Sequence, residues 1–178
     1  MTTPLREFES FGRVTTWREW YELATGTFFP EYAIPWLVSN LVGVVLLVVA
    51  IHSPKFSHKA WGFLLALAAV VNTHIVLTDP TGYHEFGVLA VPPMQRFIYS
   101  RFFARPELLV GPIALCQSLV GIELLCDNSR LRKLALTSAI VFFIGIASLG
   151  VGSAFPSSLL YAMTMKLCWP SDTKSKVV

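Results

Sequence analysis

Four apolar runs, each close to the length of a membrane crossing, constrain this chain more than any other feature. They cover about residues 35–52, 60–78, 106–126 and 134–153. A hydrocarbon core about 30 Å thick is crossed by about 20 apolar residues of helix. The runs are apolar on every face, whereas barrel strands alternate, so strands are excluded. Composition points the same way. Of the 178 residues 54% are apolar and only 14% charged, where soluble domains carry about 25% charge; the mean hydropathy is +0.59. The expectation is an all-α, multi-pass integral membrane protein. A single membrane domain over residues 1–178 would form a four-helix bundle.

Prolines and polar clusters punctuate the runs. Pro35 and Pro106 stand at first turns, where a missing amide costs nothing. Pro54-Lys55 ends the first run, Asp79-Pro80 the second and Asp127-Asn128-Ser129 the third. The N-terminal segment 1–34 is polar and aromatic. Thr16-Trp17-Arg18-Glu19 matches a capping box, so a short helix is expected from Trp17 to about Ala24, ending near Gly26. Its Trp17, Trp20 and Tyr21 suit the headgroup level. Between the second and third runs come a turn, Asp79-Pro80-Thr81-Gly82, then Tyr83-His84-Glu85. A short amphipathic helix is expected there from Met94 to Phe103. Residues 154–178 form a C-terminal tail, in which Pro156–Trp169 is a candidate for a fifth, partly embedded helix.

The short connections 53–59 and 127–133 permit only antiparallel neighbours. They hold Lys55, Lys59, Arg130, Arg132 and Lys133. Basic residues in short loops favour the cytoplasmic side, which places both termini on the opposite side. The first thirty residues hold seven charged side chains and no secretory apolar core, so insertion is expected to rely on the first run. The compartment is read as the endoplasmic reticulum membrane in preference to the plasma membrane.

Several function classes drop out. The net charge of +3 comes from residues that flank apolar runs and form no basic stripe, which argues against nucleic acid. Cys116, Cys126 and Cys168 are odd in number and lack close paired spacing, so neither a disulfide framework nor a zinc site is expected. No metal or other cofactor is expected: the sequence has no HxxxH spacing, Gly-rich phosphate loop or GxSxG elbow. Small residues four apart, Ser39 with Gly43 and Ser148 with Gly152, read as packing surfaces within the bundle. Gly145, Gly150 and Gly152 loosen the fourth helix and leave room for a ligand.

Polar side chains inside the runs are the functional candidates, because they are costly in hydrocarbon unless they face a partner or a cavity. The second run carries Asn72, His74, Thr78 and Asp79; the third carries Gln117 and Glu123; the first carries Asn40. A carboxyl in apolar surroundings favours its protonated form, so Glu123 is a candidate proton donor. Asp79 and His74 are the other candidate catalytic residues. Asn72, Gln117, Asn40, Tyr83 and Arg96 are candidates for orienting a substrate. Asp79 and Glu123 belong near opposite ends, about 20 Å apart at 1.5 Å per residue, and so are no carboxylate pair. Asn40, Asn72 and Gln117 belong at mid-depth. His74, Asp79, Tyr83, His84, Glu85, Arg96, Arg101 and Glu107 would cluster at one polar mouth. The plainer alternatives are interhelical hydrogen bonds for the amides, a turn cap for Asp79, and pairing of Glu123 with Arg130 or Lys133.

The layout combines a polar aromatic N-terminus, four short spans and a second helix that ends in His74 and Asp79. It resembles the small polytopic proteins of fungal biosynthetic clusters, which include membrane-integral cyclases, isomerases and epoxide hydrolases of polyketide and meroterpenoid pathways. It also resembles the sterol-isomerase-like and sigma-receptor-like proteins, which hold a lipophilic ligand within four helices. Both likenesses cover the layout and no motif. The first implies an enzyme of secondary metabolite biosynthesis acting by acid–base chemistry on a lipophilic small molecule, through epoxide opening, cyclisation or isomerisation. Glu123 or Asp79 would move the proton and His74 would assist. The alternative is a non-enzymatic lipid- or sterol-binding or accessory protein. Expected partners are the lipophilic substrate and membrane lipid.

Overall fold

A computed structural model of the chain describes residues 16–87, 90–100, 104–126, 131–153 and 155–170. The helices are α1 (Trp17–His52), α2 (Pro54–Thr78), α3 (Pro92–Ile98), α4 (Glu107–Cys126), α5 (Arg132–Ala147) and α6 (Ser157–Leu167). Two 3₁₀ segments, Pro80–Gly87 and Gly150–Ser153, join them, and no strand occurs among the described residues. The fold is all-α, as expected.

Among the described residues three helical stretches are long and apolar enough to cross a membrane: Ala33–His52, Pro54–Thr78 and Glu107–Cys126. Most of each faces outward; Ile34 is 77% exposed and Leu77 78%. Such faces need lipid rather than water. The fourth expected span is shorter than its apolar run. α5 has 16 residues, about 24 Å of rise. It stops because Ser148 and Leu149 turn the chain and Gly150 takes φ 62°, a conformation that favours glycine.

The first helix departs from expectation in the other direction. Thr16 caps it as the sequence indicates: Glu19 N donates to Thr16 Oγ1 at 3.3 Å, and Thr16 N to Glu19 Oε2 at 3.1 Å. It does not stop near Gly26. It continues as one helix of 36 residues through Gly26, Pro30 and Pro35. A helical glycine costs only about 1 kcal/mol, and each proline removes a single amide. The amphipathic helix expected over 94–103 is observed as Pro92–Ile98; residues 101–103 lie outside the described residues.

α2 packs chiefly against α4. Their backbones approach at two glycines. A Cβ on Gly62 would lie 2.9 Å from Gly121 O, and one on Gly121 would lie 2.8 Å from Ala66 N. α6 is a fifth helix of the bundle, packed on α5 and α1. It runs parallel to α1: Phe155, just before it, meets Trp36, and Cys168, just after it, meets Arg132 beside the start of α2, where α1 ends. Trp36 Nε1 donates to Phe155 O at 2.7 Å, Tyr161 Oη donates to Ser39 O at 2.9 Å, and a Cβ on Gly43 would meet Leu160 and Tyr161 at 3.2 Å. The Ser39–Gly43 surface therefore packs within the chain. Trp61, Phe143 and Tyr161 meet edge to face at 4.7–5.4 Å in the core between α2, α5 and α6.

The return of α6 corrects the expected end-to-end layout. Arg132 Nη2 approaches His58 Nδ1 at 3.4 Å and Cys168 O at 3.5 Å. The start of α2, the start of α5 and the end of α6 therefore share one end of the bundle. The expectation had put the C-terminal segment at the other end. Lys55, Lys59 and Lys133 are exposed on the helical turns that begin there.

Candidate functional site

The opposite end holds the candidate site. There the C-terminal half of α2, the first 3₁₀ segment, α3, α4 and α5 line an apolar cavity of about 420 Å³ that is open on one side. Phe86, Met94, Phe97 and Ile98 close it on the side of the 3₁₀ segment and α3; Ile113 and Phe142 wall it from α4 and α5. A second cavity of about 210 Å³ lies deeper between α2, α4 and α5 and shares Leu109, Ile113 and Phe142 with the first. Gly145 lines the larger cavity, and a Cβ built on it meets nothing within 4 Å.

The closing elements are held by backbone-directed bonds. Gln95, 5% exposed, donates to Gly87 O at 3.2 Å, and Tyr99 Oη donates to His84 O at 3.2 Å. Gly87 lies flat under Tyr99: a Cβ there would be 2.7 Å from Tyr99 Cζ. Val91 N donates to Ser148 O at 3.2 Å, which ties the start of α3 to the end of α5.

Three of the eight sequence-indicated residues come together here. Asn72 Nδ2 donates to Gln117 Oε1 at 2.8 Å. Tyr83 Oη donates to Asn72 Oδ1 at 2.9 Å and lies 3.3 Å from Asn72 O. Asn72 and Tyr83 line the larger cavity, and Gln117 lines the smaller. The row therefore runs from the mouth of one cavity into the other. Burial pushes the Tyr83 phenol above its ordinary range, so its proton stays on oxygen at neutral pH.

The other five lie apart. Asn40 Nδ2 donates to Trp36 O, four residues back, at 2.9 Å. His74 and Arg96 are exposed. Asp79 is exposed at the end of α2, where its Oδ1 accepts from Thr81 Oγ1 at 2.5 Å; this is the turn-capping alternative. Glu123 lies near the other end of the bundle, two residues past Gly121. About 25 Å of helix rise separates Gly62, its neighbour across the interface, from Asp79. Its Oε1 is buried with no hydrogen-bond partner among the described residues. Of the expected polar mouth, His84 is buried against Thr81 O at 3.0 Å, Glu85 is exposed, and Arg101 lies outside the described residues. Among the described residues no three His, Cys, Asp or Glu side chains group as metal ligands.

Sequence reading missed a second buried polar group. Ser57 and His58, both fully buried, stand with Arg132 and Cys168 where α2, α5 and α6 meet. Pro54 had been taken as the end of the first span and 53–59 as a loop. Pro54 instead opens α2, because proline suits the first helical position as well as it suits a stop. The Pro54 start was the available signal.

No family model matches this chain, and comparison with curated proteins and with solved structures gives no match either.

Proposed function

We propose that this chain is an integral membrane protein that binds a lipophilic small molecule in the cavity between α2, α4 and α5. The observation that carries the reading is an apolar space of about 420 Å³ with a hydrogen-bonded polar row, Tyr83–Asn72–Gln117, that starts at its wall and ends in the smaller cavity. Ligand sites are typically apolar with a few placed polar groups. Buried polar side chains in a membrane bundle mark such sites.

The test is a cavity-filling substitution. Gly145→Leu adds a side chain where there is open space, so the fold should survive. Retention of a lipophilic probe by the purified chain in lipid nanodiscs should fall at least about tenfold. Gly111→Leu adds the same bulk at a position that also has no neighbour within 4 Å but lines neither cavity, and should leave retention unchanged. Equal retention by both variants would rule out this cavity as the site.

A second reading, acid–base turnover of the bound molecule, has one observation in its favour. Glu123 follows Val120, which lines the smaller cavity, by three residues, and its Oε1 is buried without a partner. On this reading Glu123 donates a proton to an epoxide or alkene, as the layout resemblance implies. Glu123→Gln should then abolish product formation in a reconstituted pathway while probe retention persists. The endoplasmic reticulum is the proposed compartment. Imaging a tagged chain against organelle markers tests this.

A further inference from the structure

The polar row has a direction, and the direction selects a ligand chemistry. Tyr83 gives its only hydroxyl proton to Asn72 Oδ1. Asn72 Nδ2 in turn gives one proton to Gln117 Oε1. Among the described residues that is the one hydrogen bond Gln117 makes, and it makes it as an acceptor. Gln117 is 6% exposed and lines the smaller cavity, which is otherwise walled mainly by apolar side chains. Its Nε2 therefore holds two N–H donors without an acceptor among the described residues. Asn72 has one further N–H. The row presents unused donors at its inner end, while each amide oxygen already accepts one bond. A donor held away from water without an acceptor is unfavourable. An occupant that supplies an acceptor relieves this, and one that supplies only C–H does not.

We infer that the Gln117 carboxamide is the recognition point for the ligand's polar group, and that this group is a carbonyl oxygen on a largely apolar body. The inference rests on the binding reading above. A carbonyl oxygen offers two lone pairs and demands no acceptor in return. A hydroxyl must also place its own proton, on the second lone pair of Gln117 Oε1 or on the Ser138 hydroxyl that lines the same cavity, whereas a carbonyl needs no such partner. Hydrogen bonds in a chain polarise one another, so the Tyr83 hydroxyl strengthens the donors at Gln117. The larger cavity takes the apolar body, and the shared wall of Leu109, Ile113 and Phe142 leads the carbonyl end inward.

The test uses the full chain in lipid nanodiscs with three matched probes: androstanone, androstanol and the parent hydrocarbon androstane. Androstanone should be retained about tenfold more tightly than androstane. Gln117→Leu should bring that ratio close to one through the loss of androstanone retention. In the wild-type chain the carbonyl stretch of bound, isotope-labelled androstanone should move to lower frequency than in lipid alone; this readout needs no variant and so survives any folding failure of Gln117→Leu. Equal retention of ketone and hydrocarbon, an unshifted carbonyl stretch, or tighter retention of androstanol than of androstanone would overturn the inference while leaving the cavity as a binding site. If wild type retains none of the three, the inference and the binding reading both fall.

Discussion

Asn72 on α2 and Gln117 on α4 share a 2.8 Å hydrogen bond at the boundary between two cavities. The same bond fastens the two most intimately packed helices of the bundle and sets the polarity of the space beside them. A double-mutant cycle with Asn72→Ala and Gln117→Ala, read by unfolding in mixed micelles, should give a coupling of about 0.6 kcal/mol and at most about 1.7 kcal/mol, the range for hydrogen bonds between membrane helices. Strictly additive losses would mean that the two amides do not pair.

The α2–α4 crossing depends on two missing side chains. Gly121→Ala puts a methyl 2.8 Å from Ala66 N and Gly62 O, and Gly62→Ala puts one 2.9 Å from Gly121 O. The obstacle in each case is backbone, so the helices must separate. Each change should cost about 1–3 kcal/mol, the range for overpacking. Gly111→Ala on the same helix meets nothing within 4 Å and should be neutral or stabilising by up to about 1 kcal/mol, the helical preference for alanine. Thermal denaturation of the three variants side by side separates these outcomes.

Thiol accessibility reports the register of α4 and the seating of α6. Cys116 and Cys126 are exposed, whereas Cys168 is 1% exposed beside Ser57. A membrane-permeant maleimide should label two thiols per folded chain, and a third only after denaturation. Cys126→Ser should reduce the native count to one. Rapid native labelling of Cys168 would show that the end of α6 does not pack against α2.

Tyr83 and Tyr99 link the closing elements to pH. Burial raises both phenols above their ordinary pKa. The folded state therefore holds these protons more tightly than the unfolded chain does. Their contribution is complete below the ordinary phenol range, about 10, and is lost as pH rises through the raised values. Stability should thus decline in alkali. Tyr83→Phe, which cannot ionise, should flatten part of that decline. A slope against pH identical to wild type would show that Tyr83 ionises alike in both states.

Much of this molecule is a consequence of segment composition alone. Long apolar runs with few charges must become helices in lipid, because no water is present to satisfy their amides. The all-α class and the three helices long and apolar enough to span, out of four expected, follow from that rule, and the Thr16–Glu19 cap follows from its local motif. Local signals failed where one residue type serves two purposes: Pro54 opens a helix as well as closing one, and Gly26 weakens a helix without ending it.

What only tertiary structure decided is rotation about each helix axis. Hydropathy sets how deep a residue sits and says little about which neighbour it faces when every face is apolar. The close approach at Gly62 and Gly121 sets the α2–α4 rotation. That rotation turns Asn72 toward Gln117 and Tyr83, and leaves His74, two residues along, exposed. The short reach of α5 and the turn at Gly150 send α6 back to bury Ser57 and His58. Neither depends on the hydropathy of one segment; both depend on how two surfaces fit.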